Sequence, residues 1–296
     1  MAGTCCLSLI VGSREKRGTG YYWRAETGKA TFRQLGRKFA GFTMADLNGS
    51  CVDLVGLVLL APSGDFRHSA AMCGRFNVID NPGLQQLLQH LGIDPLLSTG
   101  VNLAPTEQVP IVREQNGSYH LDSARWWLTP SWAKEMSQKY SMFNARSETL
   151  AKSSAFREPF KRQRGLVPMS SFIEWRAEEG VKQPYLISNE QQALAVAALW
   201  DVWAGGDTPL LSCTLITTAA APAFEPWHHR MPVVLAASEQ QRWLDNSHKI
   251  ADDDPIFRNE LKSPLRLQPL SRAVGNARVK DPSLLESTDE PIELSC

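Results

Sequence analysis

Four side chains in this sequence have the chemistry needed to attack a carbonyl carbon and move protons around it: Cys73, Asn144, Glu174 and His228. Each stands in a short polar motif: Met72-Cys73-Gly74-Arg75, Asn144-Ala145-Arg146-Ser147-Glu148, Phe172-Ile173-Glu174-Trp175 and His228-His229-Arg230-Met231-Pro232. Taken singly, each has an ordinary structural use. A lone cysteine is commonly a small buried hydrophobe, and a glutamate after an apolar run can be the outward residue of a half-buried strand. A histidine before a strand can sit satisfied at the surface, and an asparagine can close its own turn. Taken together they supply a thiol nucleophile, two proton carriers and an amide that can hold an oxyanion or an amine.

Elements must bring these residues together from across roughly half the chain. Asn81 followed by Pro82, with Leu84, Leu87, Leu88 and Leu91 on one face and Gly92 behind them, predicts a capped amphipathic helix. The run VPIVRE, the pair Asn116-Gly117 and the run SYHLDSARWW predict a β-hairpin closed by a two-residue turn. Further strands are predicted at PYLIS, ALAVAALW, LSCTLITT and MPVVL, and Ser238 with Gln241 predicts a capping box on the helix SEQQRWL. Strands outnumber helices and do not alternate with them. The expected fold class is therefore α+β, with a mainly antiparallel, curved or barrel-like sheet and flanking helices.

Composition narrows the setting. The 296 residues are 43% hydrophobic and 21% charged, which excludes wholesale disorder and a fibrous chain. Lys plus Arg and Asp plus Glu are 31 each, so no global positive field draws the chain to nucleic acid or an anionic membrane; a nucleic-acid partner must be held by a local groove. The longest apolar stretch, 52–62, is broken by Asp53 and Gly56 and is far short of the roughly 20 residues that span a bilayer. No basic segment precedes the apolar patch near the N-terminus, so a secretory signal is not expected. The six cysteines show no CxxC pairing, and reduced thiols, no metal and no cofactor are expected. Residues 1–72 hold nine Lys or Arg against five Asp or Glu and lack a sustained period, whereas the remainder is net acidic. This composition break predicts a poorly ordered extension over 1–71, one domain over 72–280 and a loose acidic tail over 281–296.

The motifs carry a family resemblance. Met-Cys-Gly-Arg-Phe, Asn-Leu-Ala-Pro (102–105), Trp-Trp-Leu-Thr-Pro-Ser-Trp, Asn-Ala-Arg-Ser-Glu-Thr, Phe-Ile-Glu-Trp, His-His-Arg-Met-Pro and Ser-Arg-Ala-Val-Gly-Asn (271–276) occur in one order over about residues 72–277. In that order and spacing the chain resembles the SRAP family, the SOS-response-associated peptidase or abasic-site-processing proteins. The resemblance implies covalent capture of abasic sites in single-stranded DNA. Cys73 would become N-terminal on loss of Met72, form a Schiff base through its α-amine, and close a thiazolidine through its thiol. It further implies proton transfer by Glu174, acid/base action by His228, positioning of the amine by Asn144, phosphate contacts from Arg75 and Arg146, and base stacking on Trp132. The second Trp of the family pattern is Ala133 here. The expected protein is a monomer acting in DNA repair, in the cytoplasm at the nucleoid if bacterial or in the nucleus if eukaryotic.

The 71 residues ahead of Met72 depart from that pattern, because an internal Cys73 has an amide nitrogen in place of an amine. The expectation is that translation begins at Met72, or that a peptidase step removes residues 1–72. Two other readings stay open at the level of sequence. One is a cysteine peptidase, (auto)proteolytic, with Cys73 as nucleophile and His228 as base; the other is a non-catalytic reader of modified or single-stranded nucleic acid.

Overall fold

The computed structural model describes residues 74–94, 98–178 and 180–296 in full and the backbone of 8–17 and 20–29. The chain divides into two compact units, Met1–Phe66 and Arg67–Cys296. In the first, strands β1 (Ser8–Arg17) and β2 (Gly20–Lys29) pair antiparallel.

The second unit begins with β3 (Phe76–Val78) and α1 (Pro82–His90). Asn81 caps α1, its Oδ1 accepting the Leu84 N–H at 2.9 Å, and Gly92 takes the left-handed φ of +70° that ends it. Then come β4 (Gly100–Leu103), β5 (Gln108–Gln115) and β6 (Ser118–Trp126). Asn116 and Gly117 join β5 to β6 with φ of 53° and 79°, the mirror-image turn that only such residues enter readily. Strand β7 (Asn144–Arg146), α2 (Arg157–Arg162), β8 (Arg164–Met169), β9 (Ser171–Glu178), β10 (Val181–Ser188), β11 (Leu194–Trp203) and β12 (Leu210–Ala219) follow. The chain ends through β13 (Arg230–Pro232), α3 (Ala237–Leu244), β14 (Leu265–Pro269) and β15 (Ile292–Leu294).

Strands β5, β6, β12, β11 and β8 close on one another as a five-stranded barrel, since β11 pairs with both β8 and β12. A second sheet runs β15-β14-β10-β9-β3-β4. The expected α+β class with a mainly antiparallel, barrel-like sheet is what the structure has, with two parallel pairings, β12 to β6 and β12 to β7. One core cluster joins sheet to barrel. Phe76 and Phe172 from the sheet share it with Ile111, Trp126, Phe143 and Phe224. Trp126 is fully buried, its ring 4.8 Å from Phe76 and 5.8 Å from Phe143, so truncating it removes about 3–5 kcal/mol of packing.

Two details correct the sequence reading. The cap of α3 lies two residues earlier than the Ser238 box implied: Ala236 is the N-cap, and Glu239 at the third position accepts the Ala236 N–H at 2.9 Å. Ser238 lies inside the first turn, where its hydroxyl cannot cap. The stretch expected to trail as a loose tail also packs, because its alternation is short but apolar where it counts. Ile292–Leu294 pairs with β14 and buries Leu294, while Leu284 is buried from a short 3₁₀ turn.

Candidate active site

Strand β9 carries Glu174, which is 4% exposed. Side chains alternate across a strand, so Phe172, Glu174 and Arg176 share one face. The flanking two fix what that face meets. The Phe172 ring lies 6.1 Å from Phe224, and the Arg176 guanidinium stands 5.3 Å over the Trp227 ring. Glu174 is thereby turned toward the 224–228 turn, which ends at His228. On its other side β9 pairs with β3, Phe76 opposite Phe172 and the Ile173 N–H bonded to the Arg75 carbonyl at 3.0 Å. One further step of that register sets Gly74 beside Glu174. Cys73, the expected nucleophile, lies outside the described residues.

His228 is fixed by its own chain. Its backbone N–H reaches the Phe224 carbonyl at 3.3 Å, and Nδ1 lies 3.1 Å from both the N–H and the carbonyl of Arg230, while the ring stacks on His229 at 4.3 Å. Arg230 opens β13, which pairs with the C-terminal end of β12, Ala219 opposite Arg230. Strand β7 pairs with the same end of β12 in parallel, Leu215 opposite Asn144. Asn144 therefore enters from one of the two strands that share the end of β12, and His228 from the turn two residues before the other. Thr217 ties those strands: its hydroxyl lies 3.4 Å from the Ala145 carbonyl and accepts from Arg230 Nε and Nη2.

The motif arginines divide by use. Arg230 forms a two-pronged pair with Glu148 at 2.9 and 3.0 Å and donates to the Thr217 carbonyl at 2.7 Å. Burial acts to raise the Glu148 carboxyl, and the Arg230 hydrogen bond and charge together with hydrogen bonds from its own backbone and Ser147 outweigh it, leaving the pKa below the ordinary glutamate value. Arg75 gives Nη1 to the Gly74 carbonyl and Nη2 to the Gly275 carbonyl, and burial lowers its pKa, with Glu107 opposing. Arg146 is exposed at the end of β7. Trp132 is 65% exposed on a loop rooted in the barrel, where Asp201 Oδ2 accepts the Ser131 N–H at 2.7 Å and the Trp203 indole donates to the Ala133 carbonyl at 2.7 Å.

Residues the sequence reading passed over hold this frame. Asn102 is buried in the left-handed region at φ 52° and donates from Nδ2 to the carbonyls of Val274, Asn276 and Val279, each at 3.1 Å. Two motifs noted only for their order, Asn-Leu-Ala-Pro and Ser-Arg-Ala-Val-Gly-Asn, are thus one clamp. Glu148 and Arg230 were visible in the motifs, but nothing in the sequence pairs residues 82 positions apart. Among the described residues no cluster of His, Cys, Asp or Glu could hold a metal ion, and no helix is long and apolar enough to cross a membrane.

A family described as SOS response associated peptidase (SRAP) matches residues 72–277. The abasic site processing protein YoqW of Bacillus subtilis is 31% identical over 229 residues, covering 73% of this chain and 100% of that protein. The abasic site processing protein YedK of Escherichia coli is 26% identical over 230 residues, covering 73% and 99%. In Gallus gallus the abasic site processing protein HMCES is 30% identical over 196 residues, 57% of each chain. A crystal structure of a Bacteroides thetaiotaomicron protein superposes with a TM-score of 0.62 at 20% identity, over 73% of this chain and all of that one. Motif order, barrel and match agree: the chain belongs to the SOS response associated peptidase (SRAP) family.

Proposed function

We propose that this protein captures abasic sites in single-stranded DNA covalently, with Cys73 as the N-terminal nucleophile. The observation that carries the reading is the turn of Glu174 toward the segment ending in His228, with the β3 register setting Gly74, the residue after Cys73, beside it. An α-amine with a pKa near 8 is far more available as a neutral nucleophile at neutral pH than a lysine near 10.4. It adds to the aldehyde carbon of the opened sugar, and loss of water leaves an imine. The Cys73 thiol then adds to the imine carbon, the proton passing to nitrogen, and closes a five-membered ring. Both groups belong to one residue, so ring closure has a high effective molarity. Glu174 carries the proton that water needs to leave, His228 acts on the sugar oxygen, and Asn144 orients the amine. Arg146 meets the strand's phosphates, and Trp132 offers a face to a base. Relatives named as abasic site processing proteins support the substrate class.

A chain beginning at Met72 is expected to form a denaturant-stable adduct with single-stranded DNA bearing an abasic site. Cys73→Ala is expected to lose that adduct yet leave an imine that borohydride traps. Intact 296-residue protein, verified by mass, is expected to make neither product. Equal capture by the intact chain would overturn the N-terminal mechanism and send the search to the lysines.

A further inference from the structure

The Ser-Arg-Ala-Val-Gly-Asn motif has no part in the chemistry above, yet its arginine lines a cleft that also takes in Arg176, on the strand that carries Glu174. The cleft has a volume of about 700 Å³ and lies between the β9–β10 hairpin and the turn at Arg272–Gly275. It is lined by Arg176, Ala177, Glu178, Val181, Gln183 and Arg272. Arg176 sits two residues beyond Glu174 on the same face of β9, about 7 Å along the strand, roughly one nucleotide of an extended single strand. Its guanidinium rests on Trp227, the residue before His228. The far wall is equally well placed. The Gly275 carbonyl accepts from Arg75, and Asn102 holds the Val274 and Asn276 carbonyls, so the turn bearing Arg272 is locked to the start of β3.

The charges in this cleft are unequal. Among the described residues its one carboxylate, Glu178, accepts from the Tyr185 hydroxyl at 2.7 Å and lies 3.5 Å from Arg176. Arg272 is exposed, and among the described residues no carboxylate pairs with it. A cleft whose described residues carry two guanidinium groups against one engaged carboxylate, one of those guanidiniums two residues along β9 from Glu174, suits a phosphodiester. We propose that it is a subsite for the phosphate adjoining the abasic residue, with Arg272 as its principal ligand and Arg176 as the second. The assignment rests on the reading of the site as one for single-stranded DNA.

Binding of the whole chain to a single-stranded oligonucleotide carrying a tetrahydrofuran abasic analogue, followed by fluorescence anisotropy across a salt series, tests it. Arg272→Ala is expected to weaken binding on the order of fivefold and to flatten the slope of log K against log salt by about 0.7, one phosphate contact on a single strand. Arg272→Lys should restore most of the slope, since a point charge suffices for a phosphate, and Arg272→Glu should weaken binding beyond Ala. An unchanged slope in Arg272→Ala, or a loss that Lys does not restore, overturns the subsite. This assay needs no free α-amine, so failure of covalent capture leaves the cleft untouched, and an unchanged slope leaves capture untouched.

Discussion

His228 takes its orientation from the backbone of Arg230, and Arg230 takes its own from Glu148 and Thr217. In the proposed mechanism Glu174 and His228 carry protons, so they are expected to act on rate more than on affinity. Glu174→Gln and His228→Ala should each slow adduct formation by about 100-fold, while single-strand affinity stays near that of the parent chain; stopped-time gels and anisotropy on the same variants separate the two. An affinity loss that matched the rate loss would move these residues from chemistry to binding. At this scale the sequence was legible in kind but not in pairing. The residue types at Asn144, Glu174 and His228 suggest proton transfer and positioning, the roles proposed for them, whereas Arg75, Arg146 and Arg230 look alike in their motifs. Only the fold distinguishes Arg75 on backbone carbonyls, Arg230 on a carboxylate and Arg146 at the surface, because partners 82 and 200 residues away leave no local trace.

Elements were read best where a local rule has a single outcome. The Asn81–Pro82 start, the Gly92 stop and the Asn116-Gly117 turn all fell where steric preference put them. The α3 cap was displaced because Glu239 reaches back to Ala236 and the more usual side-chain cap is absent. The next capped segment gives a pH test. Asp254 accepts the Ile256 N–H at 3.0 Å and two bonds from Arg242 at 2.7 and 2.8 Å, and the Arg242 bonds chiefly hold its carboxyl below the ordinary aspartate value. A depressed folded pKa contributes stability that is present above the unfolded value near 3.9 and is lost as pH falls through the folded one. Asp254→Asn should therefore lower stability by about 1–2 kcal/mol at pH 7. The gap from the parent chain should close as the pH drops below about 4. Urea midpoints across that range measure it, and a gap independent of pH would assign the loss to packing.

At the scale of the whole molecule, the sequence showed strand number and class, while barrel closure stayed hidden. Nothing in LSCTLITT says that β12 pairs with β11, β6, β7 and β13 along its length. The acidic end misled for a related reason: three residues suffice to add an edge strand when a β14 edge waits for them. Removing residues 290–296 should uncover that edge and the site of Leu294, which is 8% exposed, and lower stability by about 1–3 kcal/mol. Thermal melting would read the shift, and an unchanged midpoint would mean that β15 adds nothing to the fold.

Strand β12 is also a clock. Strands β7 and β13 both pair with it, and His228 lies two residues before β13, so the constellation is incomplete until the ribosome has passed residue 230. At about 5–20 residues per second, some 155 residues beyond Cys73 take on the order of 10 to 30 s. On the proposed mechanism, an amine and thiol exposed during that interval would stand without His228 beside them. The fold would thus withhold the proposed reactivity from the unfinished chain and grant it on completion of the barrel, so that an aldehyde encountered during synthesis would meet a slower, less assisted cysteine.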